Sequence, residues 1–378
     1  MGTLLGNKGL SSLESHVIKK GICTMCGACV SLCPYLKSRQ GRIVKLHDCD
    51  LPEGRCFAFC PRSEVDLDSI HRSVFHKSCS ALEVGEVRRM FMARATDPEI
   101  KRKAQTGGVV SALISFALEK GMIEAALLTR RGEDQMPEGF VARGREEVLA
   151  CAGSGYVAAS SLEALNREPW KDDESIAIVG LPCQVLASAK MSAYFSEKSG
   201  LRSRVSLVVG LFCTWALVYG PFLKFVQDRV KGARILGMDI SPPPESLLRV
   251  RTSNKTWEIP LEDIRKFIRP GCSLCLDLTS ELADVSIGNA EGIDGWNTVI
   301  VRTGHGEEVL LLAEGAGIIE TRPLPEENWK HLKEASLLKK RRALLSLRER
   351  GELEQGYIVL PPEGVEKILL DSAEGLLS

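Results

Sequence analysis

Four cysteines fall within eleven residues, Cys23-x2-Cys26-x2-Cys29-x3-Cys33, and Pro34 follows in the run CTMCGACVSLCP. No other feature constrains the chain as much. Thiolates three residues apart in a tight loop can wrap three irons of one cubane, and in a two-cluster arrangement the fourth cysteine, before proline, serves the other cluster. Gly27 lets the loop turn and leaves backbone N–H groups free to face the sulfides. Zinc takes four ligands in separated pairs, which is not this pattern.

The back half of the run recurs as Cys56-x3-Cys60-Pro61 in CDLPEGRCFAFCPR, with Cys49 seven residues upstream of Cys56. By analogy with a bacterial two-cluster ferredoxin, one cluster takes Cys23, Cys26, Cys29 and Cys60, and the other takes Cys33, Cys49 and Cys56. Cys79 is the spare cysteine nearby and would complete the second set. A three-iron cluster or a non-cysteine ligand is the competing account. Seven of the 13 cysteines lie between Cys23 and Cys60, in a segment poor in periodic structure, so metal rather than a large core organises it.

From about Val87 the pattern changes. Strands are predicted at Phe91–Ala93, 125–128, 175–180, 205–212, 283–287 and 298–301, with helices over 108–120 and 222–229 and a long charged helix over 326–350. This reads as an α+β or α/β chain: a ferredoxin-like front domain over 1–86, a larger α/β domain over 87–325, and a helical extension over 326–378. Four further cysteines are spread over the larger domain. Cys183 and Cys213 follow predicted strands, while Cys272 and Cys275 form a CxxC. They could converge on one third cluster, though a lone CxxC also suits a zinc half-site or a redox pair. Cys151 is left as a plain thiol.

Several stretches resemble the coenzyme F-420 hydrogenase/dehydrogenase beta-subunit family, in order over roughly residues 87–350. They are RATDPEIKRKAQTGGVVSALISFALEKGMIEAALLT (94–129), GLPCQ (180–184), CSLC (272–275) and ELADVSIGNAEGIDGWNTVIVRT (281–303). The resemblance implies an iron–sulfur flavoprotein oxidoreductase. It implies FAD, and a 4Fe–4S cluster on Cys183, Cys213, Cys272 and Cys275, making three clusters in all. It also implies coenzyme F-420 or a similar hydride carrier, and partner redox subunits such as a hydrogenase, a formate dehydrogenase or a heterodisulfide-reductase-like protein.

Flavin contacts are expected at Thr106, Gly107 and Gly108, which precede a helix and so offer N–H groups to a phosphate. A glycine turn reads equally well there. The resemblance adds Gly153, Ser154, Gly155 and Tyr156 as a flavin loop, and Asp284, Ser286, Gly288, Asp294 and Trp296 as flavin-side residues. Asp294 and Trp296 read equally well as a turn acid and a core aromatic. Some relatives carry lysine where this chain has Gly155, which bears on the carrier's identity. No catalytic side chain is assigned, because hydride transfer to a flavin needs no general base. The basic run KKRRALLSLRER (339–350) reads as a solvated helix face or as a dock for an acidic partner.

Composition narrows the setting. Lys+Arg and Asp+Glu are both 49 in 378 residues, so no basic surplus points to nucleic acid. No apolar run reaches membrane-spanning length and no secretory signal is legible, so a cytoplasmic protein, peripheral on a larger complex, is expected.

Overall fold

A computed structural model of the chain describes residues 8–79, 83–132, 135–199, 204–241, 245–353, 356–360 and 362–370. The front segment begins with a helical stretch over Leu10–Ile18 and then the cysteine loop. A hairpin follows, β1 (Leu36–Arg39) and β2 (Arg42–Lys45). Its turn residues Gln40 and Gly41 both have positive φ, 49° and 72°, as a two-residue hairpin turn of matching twist requires. The short helix Arg55–Ala58 carries Cys56 and leads to β3 (Val65–Asp66) and the helix Leu67–Phe75. Asp66 caps that helix by accepting from the Ser69 N–H at 3.1 Å.

The body continues with β4 (Arg89–Ala95), the helix Val109–Glu119, β5 (Ala125–Arg131), β6 (Pro137–Ala142) and β7 (Ile176–Gly180). Next come the helix Pro182–Ser199, β8 (Val205–Leu211) and the helix Tyr219–Arg229. Strands β9 (Ile235–Ile240), β10 (Leu247–Thr252) and β11 (Thr256–Pro260) make a small antiparallel sheet against the last of these helices. Then come β12 (Val285–Asn289), β13 (Asn297–Val301), the helix Gly304–Gly315, β14 (Ile319–Arg322), the long helix Glu326–Glu349 and β15 (Ile358–Val359).

Eight strands form the main sheet in the order β14-β4-β13-β12-β8-β7-β5-β6. The central four, β12, β8, β7 and β5, are parallel, and the outer ones are antiparallel. Every residue of β7 and β13 is buried, as expected for strands covered on both faces. The fold is therefore a mixed α/β architecture. The strands predicted near residues 91, 125, 175, 205, 283 and 298 are all members of this sheet.

The domain limits read from the sequence do not separate independent cores. Leu13, Val17, Ile22, Met25 and Phe57 of the front share one apolar cluster with Ala158, Ala216 and Leu274 of the body and with Leu347, Tyr357 and Ile358 near the C-terminus. Strand β15 pairs with β3, Ile358 facing Val65. A front segment of this size buries too little apolar surface alone, and it borrows from both sides.

Two glycines show how differently a side chain would be received in this fold. A Cβ on Gly107 would stand 2.6 Å from Asn297 Oδ1 and 2.8 Å from the Ala93 carbonyl, both fixed by the sheet. By contrast, a Cβ on Gly315, in the last turn of its helix, meets nothing within 4 Å. Gly107→Ala should therefore destabilise by about 1–3 kcal/mol, and Gly315→Ala should stabilise by about 0.4–1 kcal/mol. Paired thermal melts check the opposite signs.

Candidate functional site

Cys23, Cys26, Cys29 and Cys60, the set predicted for one front cluster, line a single cavity in the folded chain. Leu13, Val17, Ile18 and Ile43 close its apolar wall. Positive φ at Met25 (64°), Gly27 (90°) and Ser31 (61°) coils the loop so that successive thiols face inward. Among the described residues, no three His, Cys, Asp or Glu side chains close to the distance of a single metal ion. Four thiols standing back around a hollow suit a polynuclear cluster, whose irons and sulfides occupy the middle.

Burial pushes the thiols of Cys26 and Cys29 well above their ordinary range, and the neighbouring cysteines push them further. Cys60 is raised to about 11 by burial, with Lys190 and the Arg62 N–H pulling the other way. Such thiols are poor anions by themselves and become thiolates by binding metal. Cys33 and Cys49 are the cysteines whose charge bears on Cys56, so these three stand together. Cys56 in turn bears on Cys29, which places this set beside the first. Cys79 lies elsewhere. Its N–H donates to Asp68 at 2.8 Å, and its charged neighbours are Glu281, Lys340, Asp68 and Glu86.

The second cysteine group also converges. Cys183 sits at the start of the helix after β7, and Cys213 lies just past the end of β8. Cys272 lies within a short 3-10 turn, Pro270–Leu274, and Cys275 follows it directly. Cys183 feels the charges of Cys275 and Cys272, and Cys213 feels those of Cys272, Cys183 and Cys275. Burial works against ionisation of Cys275, but Lys339 and Arg62 outweigh it and hold this thiol below its usual range. After burial and Cys60, Cys183 is the next charge acting on Cys26, so the central group adjoins the first front set.

The strand ends that carry Cys183 and Cys213 open onto the carboxyl edge of the parallel strands, where open α/β sheets bind ligands. Thr106, Gly107 and Gly108 reach this edge. Gly108 (φ 75°) caps the helix Val109–Glu119, and Asn297 pins the turn from the sheet side. Its side chain accepts from the Val109 N–H at 3.2 Å and donates to Thr106 Oγ1 at 2.7 Å and to the Gly288 carbonyl at 3.0 Å. Gly153 and Gly155 are exposed there, with open space where a Cβ would project. Tyr156 fastens this loop to the small sheet. Its hydroxyl accepts from the Ile240 N–H and from Gln105 Nε2, both at 2.9 Å. Ser154, half-buried, lies between the two glycines.

Other residues named from the sequence have structural duties. The Asp284 carboxylate accepts from the Val208 N–H (2.8 Å) and Thr303 Oγ1 (2.6 Å), at the amino end of β12 and away from the open edge. Ser286 accepts from Arg302 Nε at 2.7 Å and donates to the Ser280 carbonyl. Gly288 leaves room for the Phe212 ring, which a Cβ would strike. Asp294 is exposed on the β12–β13 turn. Trp296 is buried, with the guanidinium groups of Arg94 and Arg322 lying 4.6 and 4.7 Å from its ring.

Three buried cations went unnoticed in the sequence. Lys190 donates to the Cys60 carbonyl (2.8 Å), Ser63 Oγ (2.7 Å) and the Glu64 carbonyl (2.8 Å), and burial lowers it to about 8. Arg62 and Lys339 flank the central cysteines. Lys339 opens the basic run 339–350, yet it and Lys340 are buried at 4% and 6% exposure, so that end of the run faces inward rather than solvent.

The iron content separates these sets. Cys26→Ser and Cys275→Ser should each cost about four irons per chain, the content of one cubane. Cys151→Ser should lose none, and neither should Cys79→Ser, given its carboxylate surroundings. Iron and sulfide analysis of anaerobically prepared protein checks all four. A loss of about four irons in Cys79→Ser would return that residue to the Cys33/Cys49/Cys56 set.

The N-terminal and C-terminal parts of the coenzyme F-420 hydrogenase/dehydrogenase beta-subunit family match residues 90–166 and 173–327. The beta subunit of the coenzyme F-420 hydrogenase of Methanothermobacter thermautotrophicus is 32% identical over 247 residues, 64% of this chain and 87% of that one. One subunit of the F-420H2 dehydrogenase of Methanosarcina mazei is 28% identical over 299 residues, covering 78% of this chain and 83% of its own length. A coenzyme F-420-dependent sulfite reductase of Methanocaldococcus jannaschii is 28% identical over 335 residues, 84% of this chain but 51% of that protein. In three dimensions, a chain of the F-420-reducing [NiFe] hydrogenase complex from Methanosarcina barkeri superposes with a TM-score of 0.66 at 29% identity, covering 75% of this chain and 99% of that chain. Among the described residues no helix is long and apolar enough to cross a membrane. The chain is a member of the coenzyme F-420 hydrogenase/dehydrogenase beta-subunit family.

Proposed function

We propose that the chain is an iron–sulfur flavoprotein subunit that exchanges hydride with coenzyme F-420, or a similar carrier, and passes single electrons through iron–sulfur clusters on its three cysteine sets to or from a partner redox subunit. The observation that carries this reading is the order of the cysteine sets. Cys183, Cys213, Cys272 and Cys275 stand at the open edge of the sheet, the cavity set adjoins them through Cys26, and Cys56 with Cys33 and Cys49 follows. Cys33 and Cys49 are partly exposed, which suits an exit to a partner. Relatives named as hydrogenase and dehydrogenase subunits support a partner-dependent role. In the sulfite reductase the matching segment is about half of a longer protein, which supports an electron-input unit joined to a separate catalytic part.

FAD, when bound, supplies the conversion between a two-electron hydride and single electrons. The chain's own residues supply the rest. Gly107 and Gly108 present backbone at the head of the helix Val109–Glu119, where the dipole favours a phosphate. Asn297 fixes that turn, and Tyr156, Gln105 and Asp239 hold the Gly153–Tyr156 loop against the small sheet. Burial raises the Tyr156 hydroxyl to about 12, so it stays protonated and serves as a latch rather than a base.

Two measurements test this. Stopped-flow mixing of the oxidised protein with F-420H2 should bleach the flavin band rapidly. Bleaching by NADH or NADPH alone would overturn the carrier, and bleaching by none would make the chain an adaptor fed by its partner. Gly155→Lys places a cation in open space at the loop. If the carrier's anionic tail passes there, the KM for F-420H2 should fall about two- to five-fold, in line with an exposed ion pair.

A further inference from the structure

Arg62 and Lys339 are buried cations, at 3% and 4% exposure, beside the central cysteine group. Neither has a carboxylate among its hydrogen-bond acceptors. Arg62 donates to the Tyr357 hydroxyl at 2.9 Å and to the Gly271 carbonyl at 3.1 Å, and its guanidinium lies 4.7 Å from the Tyr357 ring. Lys339 donates to the Cys213 carbonyl at 2.5 Å and the Asp277 carbonyl at 2.7 Å. A buried charge held only by neutral acceptors is a large desolvation penalty left uncompensated, unless an anion stands nearby. The anions both cations share are the thiolates of the central group. Cys275 and Cys183 act on Arg62, and Cys275, Cys213 and Cys272 act on Lys339, beside the single carboxylate of Asp277.

Both cations come from outside the segments matched to the family, which are 90–166 and 173–327. Arg62 stands two residues after Cys60 and is aimed by Tyr357, whose hydroxyl also donates to the Leu274 carbonyl (2.7 Å) inside the CxxC turn. Lys339 projects from the long helix Glu326–Glu349.

We propose that Arg62 and Lys339 are the counter-charges of the cluster held by Cys183, Cys213, Cys272 and Cys275, and that they hold its midpoint potential above the value the four thiolates alone would give. This rests on the iron–sulfur reading of those cysteines. A cubane on four thiolates is anionic and gains one more negative charge on accepting an electron. Fixed cations in a low-dielectric site stabilise the reduced form more than the oxidised one. Arg62 has a second consequence. Its N–H donates to Cys60 Sγ at 3.4 Å, so the same residue touches both the front cavity and the central group.

The test is a redox titration of the full chain followed by electron paramagnetic resonance, with the central signal assigned as the one Cys275→Ser abolishes. Lys339→Gln and Arg62→Gln should each disfavour reduction of that cluster by about tenfold or more, a midpoint lowered by about 59 mV or more for one electron. Lys339→Arg keeps the charge and should stay near the wild-type value. Tyr357→Phe keeps Arg62 but releases its aim, and should give a smaller downward shift. A charge-removing variant with full iron content and an unchanged midpoint overturns the proposal. So does a Lys339→Arg shift as large as that of Lys339→Gln. If the glutamine variants do not retain iron, an unshifted Tyr357→Phe decides against it. A wild-type chain with no signal sensitive to Cys275→Ser refutes the iron–sulfur reading itself, a different outcome.

Discussion

The cysteine loop is wedged into the α/β body so closely that side chains have no room at the contact. A Cβ on Gly27 would stand 2.7 Å from the Glu163 N and 2.8 Å from the Ser160 carbonyl, and one on Gly271 would run into the Ile22 carbonyl. Arg269 locks the same junction by donating to the Cys23 carbonyl at 3.0 Å and the Gly41 carbonyl at 3.1 Å. Everything proposed about electron flow depends on this contact. It brings the front cavity against the cysteines at the strand ends, so that Cys26 and Cys183 act on one another.

Placing so many thiols inside one protein creates an electrostatic problem. Burial, with the neighbouring thiols adding to it, raises Cys183 to about 12 and Cys60 to about 11, so these thiols resist ionisation by themselves. Cluster binding, as proposed, would resolve part of this, since a coordinated thiol gives up its proton. The chain's cations resolve another part. Lys190 leans on Cys60 and Cys26, and Arg62 and Lys339 lean on the central group. These cations arrive from the front segment, the body and the C-terminal helix, the same three regions that share one apolar cluster.

Much of this was legible in the sequence because its periods are short and local. The ferredoxin-type spacing grouped the four thiols that line the cavity, three from one tight loop and Cys60 from the recurring Cys-x3-Cys-Pro half. The predicted strands near 91, 125, 175, 205, 283 and 298 followed from continuous apolar runs, which a two-sided parallel sheet demands. Long-range geometry was not legible. Cys79 is near Cys60 in sequence, but the helix Leu67–Phe75 carries it towards Glu281 and Lys340. Asp284 and Ser286 sit in a motif shared with relatives, yet their hydrogen bonds run to Val208, Thr303 and Arg302 within the fold. Lys339 looked like one charge in a solvated run, because no local period announces that a lysine stem turns inward. The small sheet β9–β11 was missed because its short strands mix buried and exposed positions instead of forming continuous apolar runs.

The central claim is that the cluster at the open edge and the cluster in the front cavity are immediate neighbours in one chain. Electron paramagnetic resonance of the fully reduced protein tests it most directly. Adjacent paramagnets split and broaden each other's spectra, so the account predicts an interaction spectrum that collapses to an isolated signal in Cys275→Ser. A fully reduced spectrum equal to the sum of independent cluster signals, with cavity-cluster lines unchanged by Cys275→Ser, would contradict it.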